Sequence, residues 1–370
     1  MKPDNFICVK DCWNSRFACV SVGLNLFTVC SARTSWCLSD SKMALPSISI
    51  HPEYLRTMTG ALGGASQSLW HKVKGVMGLF GSGKCSSKAT LEGKTALITG
   101  ANAGIGYETA KDFLKRGARV IMACRNVQLA ETAAGNLRSE IPGSDIRVVQ
   151  LNLASLRSVK ECAEDILKSE PKIHLLINNA GVMACPYAKT EDELEMQFQT
   201  NHLGHFLLTR ILLPKVLESA PARIVNLSSA AHLGGKVNFE DLQSTRSYNS
   251  VLAYNQSKLC NVLFTLELQE RLKDTGVVAY AVHPGVVATE LGRHLPCGCS
   301  WAFKRVGWVI KTPVQGAQTT LYCALDEKLA EQNGLYFSDC SPGRTSGRAR
   351  NKEDAKKLWE VSDDLVKNFI

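Results

Sequence analysis

Lys94-Thr-Ala-Leu-Ile-Thr99-Gly100-Ala-Asn102-Ala-Gly104-Ile105-Gly106 runs from an apolar, β-prone segment through a glycine turn into a helix-like repeat. Ala110, Phe113 and Leu114 continue it at helical spacing. Glycines at 100, 104 and 106 allow a sharp turn and close approach of backbone to a ligand. A helix starting at such a turn aims its unpaired N–H groups outward, which suits a pyrophosphate. The spacing is Gly-x-x-x-Gly-x-Gly rather than the Gly-x-Gly-x-x-Gly of long-chain dehydrogenases.

Working toward the C-terminus, strands are expected at Arg119–Ala123, Ile146–Leu153, His174–Ile177, Arg223–Leu227 and Val277–Val282. Helices are expected over Val127–Ile141, from a Ser155 cap to Lys168, over Glu191–Leu217 and over Leu252–Lys273. Strands alternating with helices predict an α/β fold, a Rossmann-type doubly wound parallel sheet, in one domain over 89–370. Ligands of such sheets bind at the carboxyl ends of the strands. No acidic residue stands at the end of the second strand to hold a ribose 2′-OH; Arg125 is there instead and is expected to face a 2′-phosphate, which favours NADP.

Working toward the N-terminus, residues 1–88 form a basic leader. Residues 1–92 carry ten Lys and Arg against five Asp and Glu, about half of the net charge of +9. A basic leader suits an anionic membrane surface or a targeting role, and disorder is an equal reading. No run reaches the ~18 apolar residues of a membrane span; Phe17–Cys30 is the nearest. The segment Leu69–Phe80 is mildly amphipathic and fits a bilayer interface. Gly78-Leu-Phe-Gly-Ser-Gly83-Lys84 imitates a P-loop, but Cys85 replaces the Ser/Thr and no strand is expected before it. There is no basic stripe with interleaved aromatics, which excludes nucleic acid as the expected partner. The fourteen cysteines are scattered without a Cys-x-x-Cys pair, so they read as reduced thiols, with no metal site expected.

Tyr254-Asn-Gln-Ser-Lys258 sets a phenol and an ammonium on one helix face, where the cation is expected to lower the phenol's pKa. Such a phenol can exchange a proton with a substrate oxygen. Tyr107-Glu-Thr-Ala-Lys111 has the same spacing and is read as chance, because it follows the phosphate turn rather than the strand ending in Ser228-Ser229.

Thr99-Gly100-x-x-x-Gly104-Ile105-Gly106, Asn178-Asn179-Ala180-Gly181, Ser229, Tyr254-x-x-x-Lys258 and Pro284-Gly285 occur in the order of the short-chain dehydrogenase/reductases, which the chain resembles over about residues 90–340. Ala-Cys124-Arg125-Asn, Asn179-Ala-Gly-Val-Met183, Asn201-His-Leu-Gly-His205-Phe, the insertion between Ser229 and Tyr254, and Val282-His-Pro284-Gly-Val-Val resemble the retinol dehydrogenase eleven-to-fourteen group. Tyr336-Phe-Ser-Asp339-Cys340 and Ala349-Arg-Asn351…Leu358-Trp359 resemble it as well.

That resemblance implies an NADP-dependent oxidoreductase acting on a lipophilic carbonyl or alcohol, retinal/retinol first. A steroid or other lipid carbonyl, and an NADP-binding scaffold without turnover, are the alternatives. It implies Tyr254 as acid or base, Lys258 on the nicotinamide ribose, Ser229 on the carbonyl oxygen and Asn201 holding a water. Gly100, Asn102, Gly104, Ile105, Gly106, Arg125, Asn152, Asn179, Ala180, Gly181, Pro284, Gly285 and Thr289 are the expected cofactor contacts, with Tyr254 and Lys258. Asn152 replaces the family's usual Asp, so altered affinity at the adenine end is expected. Glu290–Thr312, with Leu291, Trp301, Phe303 and Trp308, is the expected substrate flap. The expected location is the endoplasmic reticulum membrane with the catalytic domain in the cytosol; mitochondrial or cytoplasmic placement is the alternative. The sequons at Asn226 and Asn255 fall in the expected site framework and give no sign of a luminal protein.

Overall fold

The computed structural model describes residues 83–370, apart from 288, 290, 292–310 and 332–334, and the backbone of three short strands within 6–30. The chain divides into two units, Met1–Ala65 and Ser66–Ile370. In the first, β1 (Phe6–Lys10), β2 (Phe17–Ser21) and β3 (Val29–Cys30) pair antiparallel in that order. The amphipathic segment up to Phe80 and nearly all of the expected flap lie outside the described residues.

The second unit is a doubly wound sheet. Its strands are β4 (Thr95–Thr99), β5 (Arg119–Cys124), β6 (Ile146–Gln150), β7 (Leu175–Asn178), β8 (Ala222–Leu227), β9 (Val277–His283), β10 (Tyr336–Ser338) and β11 (Ser341–Pro342). The order is β11-β10-β9-β8-β7-β4-β5-β6, all parallel but for the terminal β10–β11 hairpin. The chain winds outward from β4 through β5 to β6, then starts again at β7 and winds the other way. The crevice between β4 and β7 is therefore the switch point where a ligand fits.

Side chains alternate across the sheet. Leu97 and Ile121 join the core under α3 (Leu156–Ser169), α4 (Gly204–Glu218), α5 (Ser250–Arg271) and α7 (Lys352–Val366). Ala96, Ile98, Val120 and Met122 face the opposite way, toward α1 (Gly104–Lys115), α2 (Val127–Glu140) and α6 (Pro313–Leu325). Strands covered on both faces must be apolar throughout, which is why β4 is buried at every residue.

Two elements differ from expectation. The helix expected over Glu191–Leu217 starts only at Met196, because the buried Glu195 carboxylate accepts from the N–H groups of Gln197 (2.9 Å) and Phe198 (2.7 Å) and caps it. It then widens into a π-helical turn, Gln199–Leu203, before α4. The β10–β11 hairpin was not expected; its turn residues Asp339 and Cys340 both have positive φ, as a tight hairpin turn requires. Residues 85–87, expected in the leader, are held on the second unit: Cys85 N–H donates to Gln318 Oε1 (3.1 Å) and Ser87 Oγ to the Leu325 carbonyl (3.1 Å).

Among the described residues no helix is long and apolar enough to cross a membrane, and no cluster of His, Cys, Asp or Glu is placed to hold a metal. Asn226 is buried with its amide on Thr265 Oγ1 (3.0 Å), so that sequon cannot carry a glycan in the folded chain.

Candidate active site

The glycine turn is built by contacts that tolerate no side chain. A Cβ on Gly106 would lie 2.4 Å from the Gly100 carbonyl oxygen and 2.6 Å from Asn179 Nδ2. Gly100 (φ +66°) and Gly104 (φ +57°) occupy the left-handed region. Asn179 Nδ2 donates to the Thr99 carbonyl (2.8 Å), stitching β7 to β4 beneath the turn. Helix α1 opens at Ala103 with no capping side chain, whereas α2 and α3 are capped by Asn126 and Ser155. The first N–H groups of α1 are thus left for an anion. Thr289 lies across the turn, its methyl facing Gly104.

Thr99 links this turn to the catalytic side. Its hydroxyl oxygen accepts from the N–H groups of Asn179 (2.9 Å) and Ala180 (3.0 Å). With both lone pairs used, its proton goes to His205 Nε2 (2.8 Å). His205 therefore carries its hydrogen on Nδ1, which donates to the Asn201 carbonyl (3.1 Å). Burial, with Lys258 adding to it, pulls the His205 pKa down to about 4 and keeps the ring neutral.

Asn201 sits in the π-helical turn. Its amide bridges to Val182 in both directions (2.8 and 2.9 Å) and donates to Ser257 Oγ (2.9 Å). A Cβ on Gly181 would fall 2.9 Å from Asn201 Oδ1 and 3.6 Å from Lys258 Nζ, so Gly181, Asn201 and Lys258 meet at one point. Asn201, Tyr254 and Lys258 are buried. Lys258 Nζ donates to the Leu227 carbonyl (3.1 Å) and lies 5.7 Å from the centre of the Tyr254 ring.

Burial pushes the Tyr254 phenol up to about 12, and a hydrogen bond with Ser229 works against it. The lowering expected from Lys258 is not found: desolvation dominates the phenol, and burial also pulls the ammonium down to about 8. The phenol is accordingly protonated at neutral pH, the form a general acid needs. Ser229 Oγ accepts from Ala231 N–H (3.2 Å) and keeps its own proton to donate. Ser228 Oγ is turned away, donating to the Lys258 carbonyl (2.7 Å).

Arg125 is exposed at the end of β5. Asn152 closes a turn after β6, its Oδ1 accepting from Ala154 N–H (3.2 Å). Gly285 (φ +91°) follows β9 and packs on the Lys311 stem. The candidate site thus has an uncapped helix start at α1 and a phenol–serine–amine group at α5, on the two sides of the β4–β7 switch point. The donor chemistry suits a dinucleotide: α1 opens without a capping side chain at one end, and a buried phenol and amine stand at the other.

The model of the short chain dehydrogenase family matches residues 94–297. The chain belongs to the short-chain dehydrogenase family. It is 51% identical to mouse retinol dehydrogenase 12 over 287 residues, covering 78% of this chain and 90% of that one. Human retinol dehydrogenase 11 is 49% identical over 288 residues, with the same 78% and 90% coverage. A solved structure of a putative uncharacterized protein from Mycobacterium paratuberculosis superposes with a TM-score of 0.61 at 36% identity, covering 77% of this chain and 98% of that one. As a short-chain dehydrogenase the chain is an oxidoreductase that uses a nicotinamide cofactor, and the Thr99–Gly106 turn and the Tyr254–Lys258 helix fall inside the matched region.

Thr99, His205, His232, His283 and Tyr336 were not singled out as site residues. Thr99, His205, His283 and Tyr336 are visible only inside longer stretches of resemblance. Their roles arise from contacts between distant segments, such as Thr99 with His205, 106 residues apart.

Proposed function

We propose that the protein is an NADP-dependent oxidoreductase that interconverts a lipophilic aldehyde or ketone and its alcohol, retinal and retinol being the preferred pair. The observation that carries this reading is the buried phenol of Tyr254, held protonated beside Ser229 in a chain about half identical to retinol dehydrogenases. Arg125, exposed where a 2′-phosphate would lie, and the absence of an acidic residue there support NADP over NAD.

In reduction, Ser229 donates a hydrogen bond to the carbonyl oxygen as charge builds on it. Tyr254 then gives that oxygen its proton. Lys258 lies 5.7 Å from the centre of the phenol ring and would supply the positive charge that the departing proton leaves uncompensated, while Asn201 would hold a water beside Lys258. The cofactor supplies or accepts the hydride. Oxidation runs the same contacts backwards, with Tyr254 as base. Gly100, Asn102, Gly104, Ile105 and Gly106 would hold the pyrophosphate, Asn152 the adenine end, and Asn179, Ala180, Gly181, Pro284, Gly285 and Thr289 the nicotinamide half.

The decisive experiment is a panel of all-trans-retinal, a 3-ketosteroid, a long-chain aldehyde and a short polar aldehyde, each assayed with NADPH and NADH. Retinal should show the highest kcat/KM with NADPH. No turnover of any carbonyl would overturn the reading in favour of a scaffold, and preference for the polar aldehyde would overturn the substrate class. The basic leader supports association with the endoplasmic reticulum membrane, the catalytic unit facing the cytosol. Removing residues 1–80 should leave a folded, NADPH-binding protein that no longer sediments with anionic vesicles; unchanged sedimentation would refute a membrane role for the leader.

A further inference from the structure

Ser229 ends the segment after β8 and starts a short helical turn, Ala230–Gly234. Both polar groups of the peptide bond that follows it are held by imidazoles. The Ser229 carbonyl accepts from His232 N–H (3.1 Å) and from His232 Nδ1 (2.6 Å). A carbonyl can only accept, so His232 carries its hydrogen on Nδ1. On the other edge of the same peptide, Ala230 N–H donates to His283 Nδ1 (3.2 Å). That nitrogen must be bare, so His283 carries its hydrogen on Nε2.

The two rings are thus fixed as opposite tautomers, one donor and one acceptor, on the two sides of one peptide plane. Among the described residues neither buried Nε2 atom has a protein partner, and each ring's protein hydrogen bonds are to this peptide. The rings come from different elements. His283 is the last residue of β9, in register with Ser338 of β10. His232 packs at a tilt of 55° against Tyr336 of β10, ring centres 4.6 Å apart. Ser228 N–H is pinned to the Val282 carbonyl (2.7 Å), which holds the Leu227–Ser228 peptide to the same strand. Burial keeps both rings neutral, assisted at His283 by Lys311 and His232.

We propose that His232 and His283 are positioning residues that clamp the Ser229–Ala230 peptide and thereby aim the Ser229 hydroxyl at the substrate oxygen. This rests on the oxidoreductase reading above. Rotation of that peptide plane would swing Ser229 Oγ, which shares the turn with Ala231 N–H (3.2 Å). Misplacement by about 1 Å at a reacting centre costs roughly 10²-fold in rate. Neither histidine is among the residues proposed to hold the cofactor, so the clamp should act on kcat and leave cofactor binding alone.

The test uses the full chain with all-trans-retinal at saturating NADPH. His232→Leu and His283→Leu remove the clamp. His232→Asn and His283→Asn restore it, because the amide places Nδ2 as donor or Oδ1 as acceptor where Nδ1 stood. Each Leu variant should lose about 10- to 100-fold in kcat, with the NADPH Kd from cofactor fluorescence within twofold of the parent. Each Asn variant should recover to within about threefold. Leu variants with parental kcat, or Asn variants as slow as Leu, would overturn the clamp. A second measurement needs neither turnover nor a folded variant: 15N imidazole spectra of the parent chain should show His232 protonated on Nδ1 and His283 on Nε2. The reverse assignment at either ring sinks the proposal. If the parent reduces no carbonyl, the oxidoreductase reading fails, and the tautomers still decide the clamp.

Discussion

The helices α1 and α5 each carry a tyrosine followed four residues later by a lysine, and the two pairs could hardly differ more. Tyr254 and Lys258 are 6% and 4% exposed, and no carboxylate pairs with Lys258 among the described residues. Lys111 instead reaches Glu140 of α2 at 2.7 Å, with both side chains partly in solvent. Burial pulls the Lys258 ammonium down to about 8, while the hydrogen bond that Lys111 donates to Glu140 raises the pKa of Lys111. The spacing brings phenol and ammonium together in both places. Reactivity is set by what lies around them: strand ends, Ser229 and Asn201 around one, an open surface between α1 and α2 around the other.

The sharpest way to break this comparison is to remove each phenol oxygen. Tyr254→Phe should lower kcat by at least ~10²- to 10⁴-fold with NADPH binding nearly intact. Tyr107→Phe should change kcat less than about threefold, since it removes no catalytic proton. Side-by-side assays with one aldehyde at saturating NADPH decide it; a dead Tyr107→Phe and an active Tyr254→Phe would reverse the assignment.

The lysines should differ in pH dependence. Lys258 has a folded pKa near 8 and an unfolded one near 10.5, so between these values the unfolded chain binds more protons. Stability of the cofactor-free protein is therefore diminished below pH 8 and recovers as pH rises toward 10.5, by roughly 3 kcal/mol. Lys258→Met should remove that rise in urea unfolding curves. Lys111 has the opposite sign, a raised folded pKa, and any contribution from it is lost as pH rises. An unchanged pH slope in Lys258→Met would show that the buried amine is not neutralised.

A smaller, cofactor-selective effect is expected at Arg125. A charge-assisted hydrogen bond is worth about 1.5–3 kcal/mol, so Arg125→Ala should raise the NADPH KM about 10- to 100-fold and leave that for NADH nearly unchanged. Equal losses with both cofactors would mean that Arg125 reads no 2′-phosphate. Least of all should happen at the surface pair: Glu140→Gln breaks an exposed ion pair, so it should leave the urea unfolding midpoint nearly unchanged and kcat alone. A large loss of turnover there would give Tyr107 and Lys111 a role that their surroundings do not explain.

Much of the site was legible because its signals are local. The glycine turn follows from backbone conformations at Gly100, Gly104 and Gly106, and these depend on residues a few positions apart. The Tyr254–Lys258 pair follows from helical geometry alone. Glu191–Leu217 misled because its composition suits one continuous helix. The buried Glu195 carboxylate caps the chain at Met196, and the following turn widens to present Asn201. Neither event leaves a mark in periodicity.

By itself, the sequence determined the βα alternation, the phosphate turn and which residue types could carry a proton, since each needs only the chain's own neighbours. It also contained two equivalent Tyr-x-x-x-Lys pairs and no means within helical spacing to rank them. The tertiary structure decided between their surroundings by burying one ammonium away from any carboxylate and tying the other to Glu140. It also decided the tautomers of His205, His232 and His283, because each hydrogen position is imposed by a partner. The physical reason is the same in every case: pKa and tautomer are properties of solvation and hydrogen-bond partners, and those are assembled from segments far apart in the chain.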